Sequence, residues 1–266
     1  MLPQSRTPEG AEALEALVVD PGRAVVALDY DGTLAPITTR PEDAVPAPGA
    51  LAALHACATA FGTVAIVTGR PAAVVVSLAG AATVDRLVVL GHYGEERWTA
   101  ADGLTRPPEH PGLAAARRAL REAFAESSLE EKGISVAVHT RAAADPDAAL
   151  AEAVPVVERI ARETGLAVNH GRYVVELRAP GARTKRDAIR SLTGGATSLL
   201  FAGDDLVDLP AYEAVHEFRQ GGGYGVGVFV DNPEAAAVRD LADVVVPDTG
   251  ACVALLAGLA AAARAR

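Results

Sequence analysis

Val25-Val26-Ala27-Leu28-Asp29-Tyr30-Asp31-Gly32-Thr33-Leu34 is the stretch that decides the fold. Four consecutive apolar residues, two of them β-branched, predict a buried strand. They give way at once to two carboxylates two positions apart and a Gly-Thr turn. Ligands of open α/β sheets bind outside the carboxyl ends of the strands. An Asx-type turn would also close a strand this way, but two acids so close repel unless a cation sits between them. The segment therefore predicts a strand with a site at its carboxyl end.

Working outward, five more apolar runs read as strands: Val64–Val67, Leu87–Leu90, Leu199–Ala202, Val226–Val230 and Val244–Val246. They are nearly continuous rather than alternating, the pattern of a parallel sheet covered on both faces. Helical patterns lie among them at Gly49–Ala60, Pro71–Ala79, Thr184–Leu192, Asp208–Glu217, Pro233–Leu241 and Gly250–Ala263. Strand and helix in alternation predict a doubly wound α/β core.

The middle of the chain breaks this rhythm. Ala100–Pro111, rich in Pro, Gly and charge, reads as a loop or linker. A helix at Leu113–Glu126 follows, then an alternating strand at Ile134–His139 and a helix at Pro146–Thr164. Strands at Leu166–Val168 and Tyr173–Leu177 are joined by the hairpin-type turn Asn169-His170-Gly171-Arg172. The expectation is an inserted α+β cap over residues 99–179, with the core formed by 1–98 and 180–266.

Composition narrows the function. The chain has 266 residues, 50% hydrophobic and 22% charged, with a formal charge of −10. A chain this acidic is a poor partner for nucleic acid or an anionic membrane surface. It holds no apolar run long enough for a transmembrane helix, and Met1–Gly10 carries no leader pattern. Cys57 and Cys252 lie in Ala/Leu-rich helical patterns and read as small core residues, which suits a cytoplasmic location. The six histidines show no close metal-ligand spacing, so zinc is not expected. Gly221–Gly227 precedes a strand instead of linking strand to helix, so it reads as a flexible loop rather than a dinucleotide motif. Only two of the 24 basic residues are lysines, Lys132 and Lys185. In a chain that otherwise uses Arg, a retained Lys points to a place that needs a compact charge.

Three further segments join Asp29 and Asp31. Val64–Val67 ends in Thr68-Gly69-Arg70, Lys185 precedes the strand at Leu199, and that strand runs into Gly203-Asp204-Asp205-Leu206-Val207-Asp208. Together these four segments resemble the four ordered motifs of the haloacid dehalogenase superfamily of phosphohydrolases. The resemblance implies a Rossmann-like core of haloacid dehalogenase type. It implies Asp29 as the nucleophile that forms an aspartyl-phosphate, and Asp31 as the acid and then the base. Thr68, Gly69, Arg70 and Lys185 are then the phosphate-binding residues, with Lys185 neutralising charge on Asp29 and the phosphate. Mg²⁺ is the expected cofactor, on Asp29, Asp204 and Asp205 and the backbone carbonyl of Asp31, with Asp208 tuning or assisting the site.

Within the insert, Lys132-Gly133 followed by a strand and His139-Thr140-Arg141 resembles the cap motif of the trehalose-6-phosphate phosphatase family. Glu176-Leu177-Arg178-Ala179-Pro180 and Gly91-His92-Tyr93-Gly94-Glu95 resemble two more of its segments. Ala179 is an insertion before Pro180, Tyr93 takes a His position, and Arg186 stands where a Gly is usual. The resemblance implies Lys132, Ser135, His139, Arg141 and Glu176 as sugar-binding residues. Strand alternation independently puts Ser135 and His139 on one face. The expected activity is Mg²⁺-dependent hydrolysis of trehalose 6-phosphate by a cytoplasmic, stand-alone phosphatase, with a monomer favoured. The alternatives are another sugar or polyol phosphate, or a non-catalytic phosphosugar-binding regulator.

Overall fold

The computed structural model describes residues 2–265. Among these, the chain divides into two compact units. The larger runs to Arg106 and resumes at Arg183; the smaller spans Pro107–Ala182.

The first part of the larger unit contains α1 (Pro8–Val19), β1 (Ala24–Leu28), α2 (Ala50–Ala60), β2 (Thr63–Val67), α3 (Ala72–Leu78), β3 (Leu87–Gly91), β4 (Glu96–Thr99) and β5 (Gly103–Thr105). The smaller unit holds α4 (Leu113–Ala123), β6 (Leu129–Glu131), β7 (Ser135–His139), α5 (Pro146–Thr164), β8 (Ala167–Gly171) and β9 (Val174–Arg178). The larger unit then continues with α6 (Lys185–Leu192), β10 (Ser198–Gly203), α7 (Leu209–Gln220), β11 (Tyr224–Val230), α8 (Ala236–Arg239), β12 (Val244–Val246) and α9 (Thr249–Arg264).

The larger unit's sheet has the order β12-β11-β10-β1-β2-β3-β4-β5 among the described residues. It is parallel from β12 to β3, with β4 and β5 added antiparallel. Every residue of β1 and β10 is buried, which requires an apolar layer on each side. Alternate residues supply the two layers. Val26 and Leu28 pack with α1, α2, α3 and α9, whereas Val25 and Ala27 pack with α6, α7 and α8. Leu200 and Ala202 of β10 divide from Leu199 and Phe201 in the same way. Cys57 and Cys252 are free and buried in the first layer.

The smaller unit has an antiparallel sheet in the order β6-β7-β9-β8. Val136, Val138, Val175 and Leu177 pack against Leu113, Leu120, Val157 and Ile160 of α4 and α5. Period-two alternation then puts Ser135, His139 and Glu176 on the face turned away from the helices.

Several elements differ from the sequence reading. The amphipathic helix α1, capped by Thr7, lies outside the helical patterns that the sequence predicts. Part of the expected loop at Ala100–Pro111 is β5, which pairs with β4 and carries the larger unit past the expected boundary at residue 98. The three-residue β6 was not anticipated. The long helix expected at Pro233–Leu241 is a 3₁₀ turn, Pro233–Ala235, followed by the short α8. The expected flexible loop at Gly221–Gly227 is half strand: β11 begins at Tyr224. Gly227 is there because the Tyr212 ring covers it, and a Cβ would come within 2.9 Å of that ring. No helix of the described residues is long and apolar enough to cross a membrane.

Candidate active site

Because β2, β1, β10 and β11 run parallel, the residues that follow them collect along one edge of the sheet. Asp29 follows β1 and its N–H donates to Ala202 O at 2.8 Å. Thr68 follows β2, Asp204 follows β10, and Asn232 lies two residues beyond β11. Asp29, Thr68 and Asp204 are buried, as is Lys185.

The turn after β1 is closed locally. Gly32 N–H donates to Ala35 O, while the N–H groups of Leu34 and Ala35 donate to Tyr30 O. Tyr30 is fully buried, and its hydroxyl donates to Ala44 O at 2.7 Å. Gly32 has φ +75°, and a Cβ on it would sit 2.0 Å from Asp204 Oδ2. Only glycine provides both the left-handed backbone and that close approach.

Lys185 is the first residue of α6, whose start is fixed by a reciprocal cap between Thr184 and Asp187. Its Nζ lies 2.8 Å from Asp29 Oδ1 and also donates to Asp208 Oδ1. The other oxygen of Asp208 accepts the N–H groups of Asp204 and Asp205 at 2.9 and 3.1 Å. Asp208 thus ties the lysine to the turn that carries Asp204. Asp205 is turned elsewhere, and its Oδ1 accepts the N–H of Leu206 at 2.6 Å.

Carboxylate oxygens of Asp29, Asp204 and Asp208 come within 4.8 Å of one another. Of the four aspartates expected around a cation, the fold brings the side chains of Asp29 and Asp204 into this group. Asp208 joins them, whereas the carboxylates of Asp31 and Asp205 face other partners. Asp31 is held by a bidentate fork: Arg70 Nε and Nη2 donate to its two oxygens, each at 2.7 Å. Arg70 also donates from Nη1 to Pro41 O at 2.7 Å.

The electrostatics of the group follow from burial. Burial works against the Lys185 ammonium, but Asp208 and Asp29 outweigh it and hold the lysine charged. One ammonium faces three buried carboxylates. Desolvation accordingly pushes Asp29 up. Asp204 rises to about 7 through desolvation and the nearby charges of Asp208 and Asp205. The group is all oxygen, buried and short of positive charge, which suits a hard divalent cation such as Mg²⁺. It contains no nitrogen or sulfur ligand of the kind zinc prefers.

Thr68 Oγ1 accepts the N–H of Arg70 at 3.1 Å. The Thr68 and Arg70 carbonyls accept the N–H groups of Tyr93 and His92. His92 and Tyr93 both adopt positive φ, 48° and 60°. The Tyr93 ring lies over Gly69, where a Cβ would approach its hydroxyl to 2.7 Å. A side chain at 69 would displace the Tyr93 ring.

The smaller unit has a separate polar network on the face of its sheet away from the helices. Ser135 donates to Glu176 Oε1 at 2.6 Å, and Lys132 Nζ lies 3.6 Å from the same oxygen. Glu130 bridges Lys132 at 3.4 Å and His139 Nε2 at 2.7 Å. The His139 hydrogen bond holds the Glu130 carboxylate down at about 2 against partial desolvation, with Lys132 contributing. Burial works to raise Glu176, but Lys132 and Ser135 keep it below the ordinary range. Lys132, Ser135, His139 and Glu176 thus belong to one network. Arg141 is exposed and pairs with no side chain of the described residues. The sequence reading missed Glu130, which pairs across from Ala137, itself opposite Glu176. An acid two positions before Lys132 was the signal available. It also missed Asn232 as a site residue; the Asn-Pro step two residues beyond a predicted strand was the signal available.

Comparison with known proteins identifies the family and the fold. A family model described as Trehalose-phosphatase matches residues 27–242. A trehalose-phosphate phosphatase of Mycobacterium marinum (strain ATCC BAA-535 / M) is 33% identical over 250 residues, covering 86% of this chain and 60% of that protein. An uncharacterized glycosyl hydrolase of Mycobacterium tuberculosis (strain ATCC 25618 / H37Rv) is 35% identical over 237 residues, covering 83% of this chain and 17% of that protein. The chain thus spans less than two thirds of either curated relative. Among solved structures, the C-terminal domain of C. albicans trehalose-6-phosphate phosphatase aligns with a TM-score of 0.74 at 19% identity, covering 98% of each chain.

Proposed function

From the premise that this chain belongs to the trehalose-phosphatase family, we propose that it hydrolyses trehalose 6-phosphate to trehalose and inorganic phosphate. The observation that carries this reading is the buried Asp29, held 2.8 Å from Lys185 and grouped with Asp204. Asp29 Oδ attacks phosphorus, the bond to the sugar oxygen breaks, and an aspartyl-phosphate forms. Asp31 gives a proton to the departing sugar oxygen. It then takes one from the water that cleaves the aspartyl-phosphate, which regenerates Asp29. In the fork of Arg70 both Asp31 oxygens accept hydrogen bonds, so Asp31 leaves the fork and takes a proton from solvent before it acts as the acid. Thr68 and the N–H groups beside it bind phosphoryl oxygens, and Lys185 offsets their charge. Asp29 and Asp204 would hold Mg²⁺, which supplies charge neutralisation for the transferring phosphoryl group. Phosphate release across a panel of sugar phosphates tests the substrate. A preference for a different sugar phosphate would replace trehalose 6-phosphate in this reading.

Thorough chelation is expected to abolish turnover and Mg²⁺ to restore it, measured as phosphate release before and after addition of the metal. Full activity in the chelated protein would remove the cation from the proposal.

The sugar is read by the smaller unit's polar network. Glu176→Ala is expected to lower kcat/KM for trehalose 6-phosphate by roughly 10–150-fold, the worth of one hydrogen bond to a charged group (about 1.5–3 kcal/mol). A small aryl phosphate has no sugar hydroxyls, so its hydrolysis should change little. Equal losses on both substrates would assign Glu176 to the fold. Arg141→Ala is the matching test for a side chain that is free to meet a ligand.

A further inference from the structure

Asp204 is gripped from three directions. The turn after β1 lies against it at Gly32, where a Cβ would meet all three carboxylate atoms at 2.0–2.4 Å. Thr33, fully buried, donates from Oγ1 to Asp204 Oδ1 at 3.4 Å. Asn232, beyond β11, donates from Nδ2 to Asp204 Oδ2 at 3.3 Å. The amide of Asn232 is not free to turn round. Its Oδ1 accepts the N–H of Glu234 at 3.1 Å and so starts the turn Pro233–Ala235. With the oxygen so committed, the NH₂ end faces Asp204.

This makes the carboxylate group asymmetric. Asp29 and Asp208 share the ammonium of Lys185. Among the described residues Asp204 has no such ion pair, and both of its side-chain partners are neutral and at the long end of hydrogen-bond range. Neutral donors orient a carboxylate without cancelling its charge. A positive side chain in place of Asn232 would pair with Asp204 and take the place of a cation.

We infer that Asn232 is a positioning residue for the metal ligand Asp204, holding that carboxylate in place while leaving its charge for a divalent cation. This rests on the proposed Mg²⁺ phosphatase site. Supporting partners of metal ligands are worth roughly 10–100-fold in metal affinity.

The test is binding of Mn²⁺ alone to the substrate-free protein, read by the electron paramagnetic resonance signal of the free ion, with Mg²⁺ as competitor. Asn232→Ser keeps an oxygen that can accept the Glu234 N–H, but its shorter side chain no longer reaches Asp204. The expected result is Mn²⁺ affinity lowered roughly 10–100-fold with the metal-free melting temperature unchanged. Affinity within about twofold of the parent protein would overturn the inference, because the residue would then serve only as a cap. Asn232→Asp is the second variant. It keeps both the cap and the volume but sets a further negative charge against Asp204. Its metal-free melting temperature should fall, and the rise on adding Mn²⁺ should exceed that of the parent. A melting temperature unaltered by this variant would likewise overturn the inference. If the parent protein itself binds no Mn²⁺, the phosphatase-site reading fails. If the parent binds and Asn232→Ser binds equally, only the role of Asn232 fails.

Discussion

Asp29→Asn should lower turnover of trehalose 6-phosphate by roughly 10⁴–10⁶-fold, the scale seen when a nucleophile that works as part of a unit is removed. The substitution preserves shape, and an amide oxygen can still accept from Lys185. It removes the attacking carboxylate and with it the covalent intermediate. Asp29 is buried at the end of β1 with its backbone N–H on β10, so no nearby acid reaches the same position without moving a strand. Asp31 pairs with Arg70 in the structure and serves in the reaction as the proton carrier, and Asp208 is held by Lys185 and two backbone N–H groups. The measurements are steady-state phosphate release and acid-quench trapping of phosphorylated protein from labelled substrate. Near-parental turnover would exclude covalent catalysis through Asp29.

Lys185→Ala is expected to inactivate the protein and also to destabilise it by about 3–5 kcal/mol, the usual cost of breaking a buried ion pair by removing one partner. Nζ serves both Asp29 and Asp208. Without it the three buried carboxylates of the group lose their one ammonium, and the turn from Gly203 to Asp208 loses its anchor to α6. Urea unfolding in chelator reads the stability loss. Saturating Mg²⁺ should recover part of it, because the cation replaces some of the missing charge. Lys185→Arg tests shape at constant charge. The guanidinium is wider than an ammonium and does not fit between two carboxylates placed for a point charge. Turnover near that of the parent in the Arg variant would show that charge alone matters there.

Strand interiors were legible because burial on both faces forces continuous apolar runs, as in Val25–Leu28 and Leu199–Ala202. Their ends were legible because Asp29, Thr68 and Asp204 stand where apolar residues stop. α1 was not legible as part of the core. Its apolar stripe means little until β10, β11 and α9 supply the surface it covers, as Leu14 and Leu17 do there. β5 and β6 are three residues each, too short for a period to show. They exist because a neighbouring strand offers unpaired backbone groups.

By itself, the sequence determined the alternation of strand and helix, the inserted module and the residue types of the site. The strand ends are written in local order, an apolar run and then an acid or hydroxyl, and Lys185 is written at the start of a helix. Which acids face one another was decided only by the tertiary structure. Asp205 and Asp208 are three positions apart in the same acidic segment, yet one caps a turn while the other meets Lys185 across a buried gap. Asp31, two residues from Asp29, turns to Arg70. Asn232 reaches Asp204 only because β10 and β11 are neighbours in register. Local chemistry fixes which groups are available. Asp205 takes its donor from the next residue, but the directions of Asp29, Asp31 and Asp204 depend on donors the fold brings from distant segments, which no window of sequence contains.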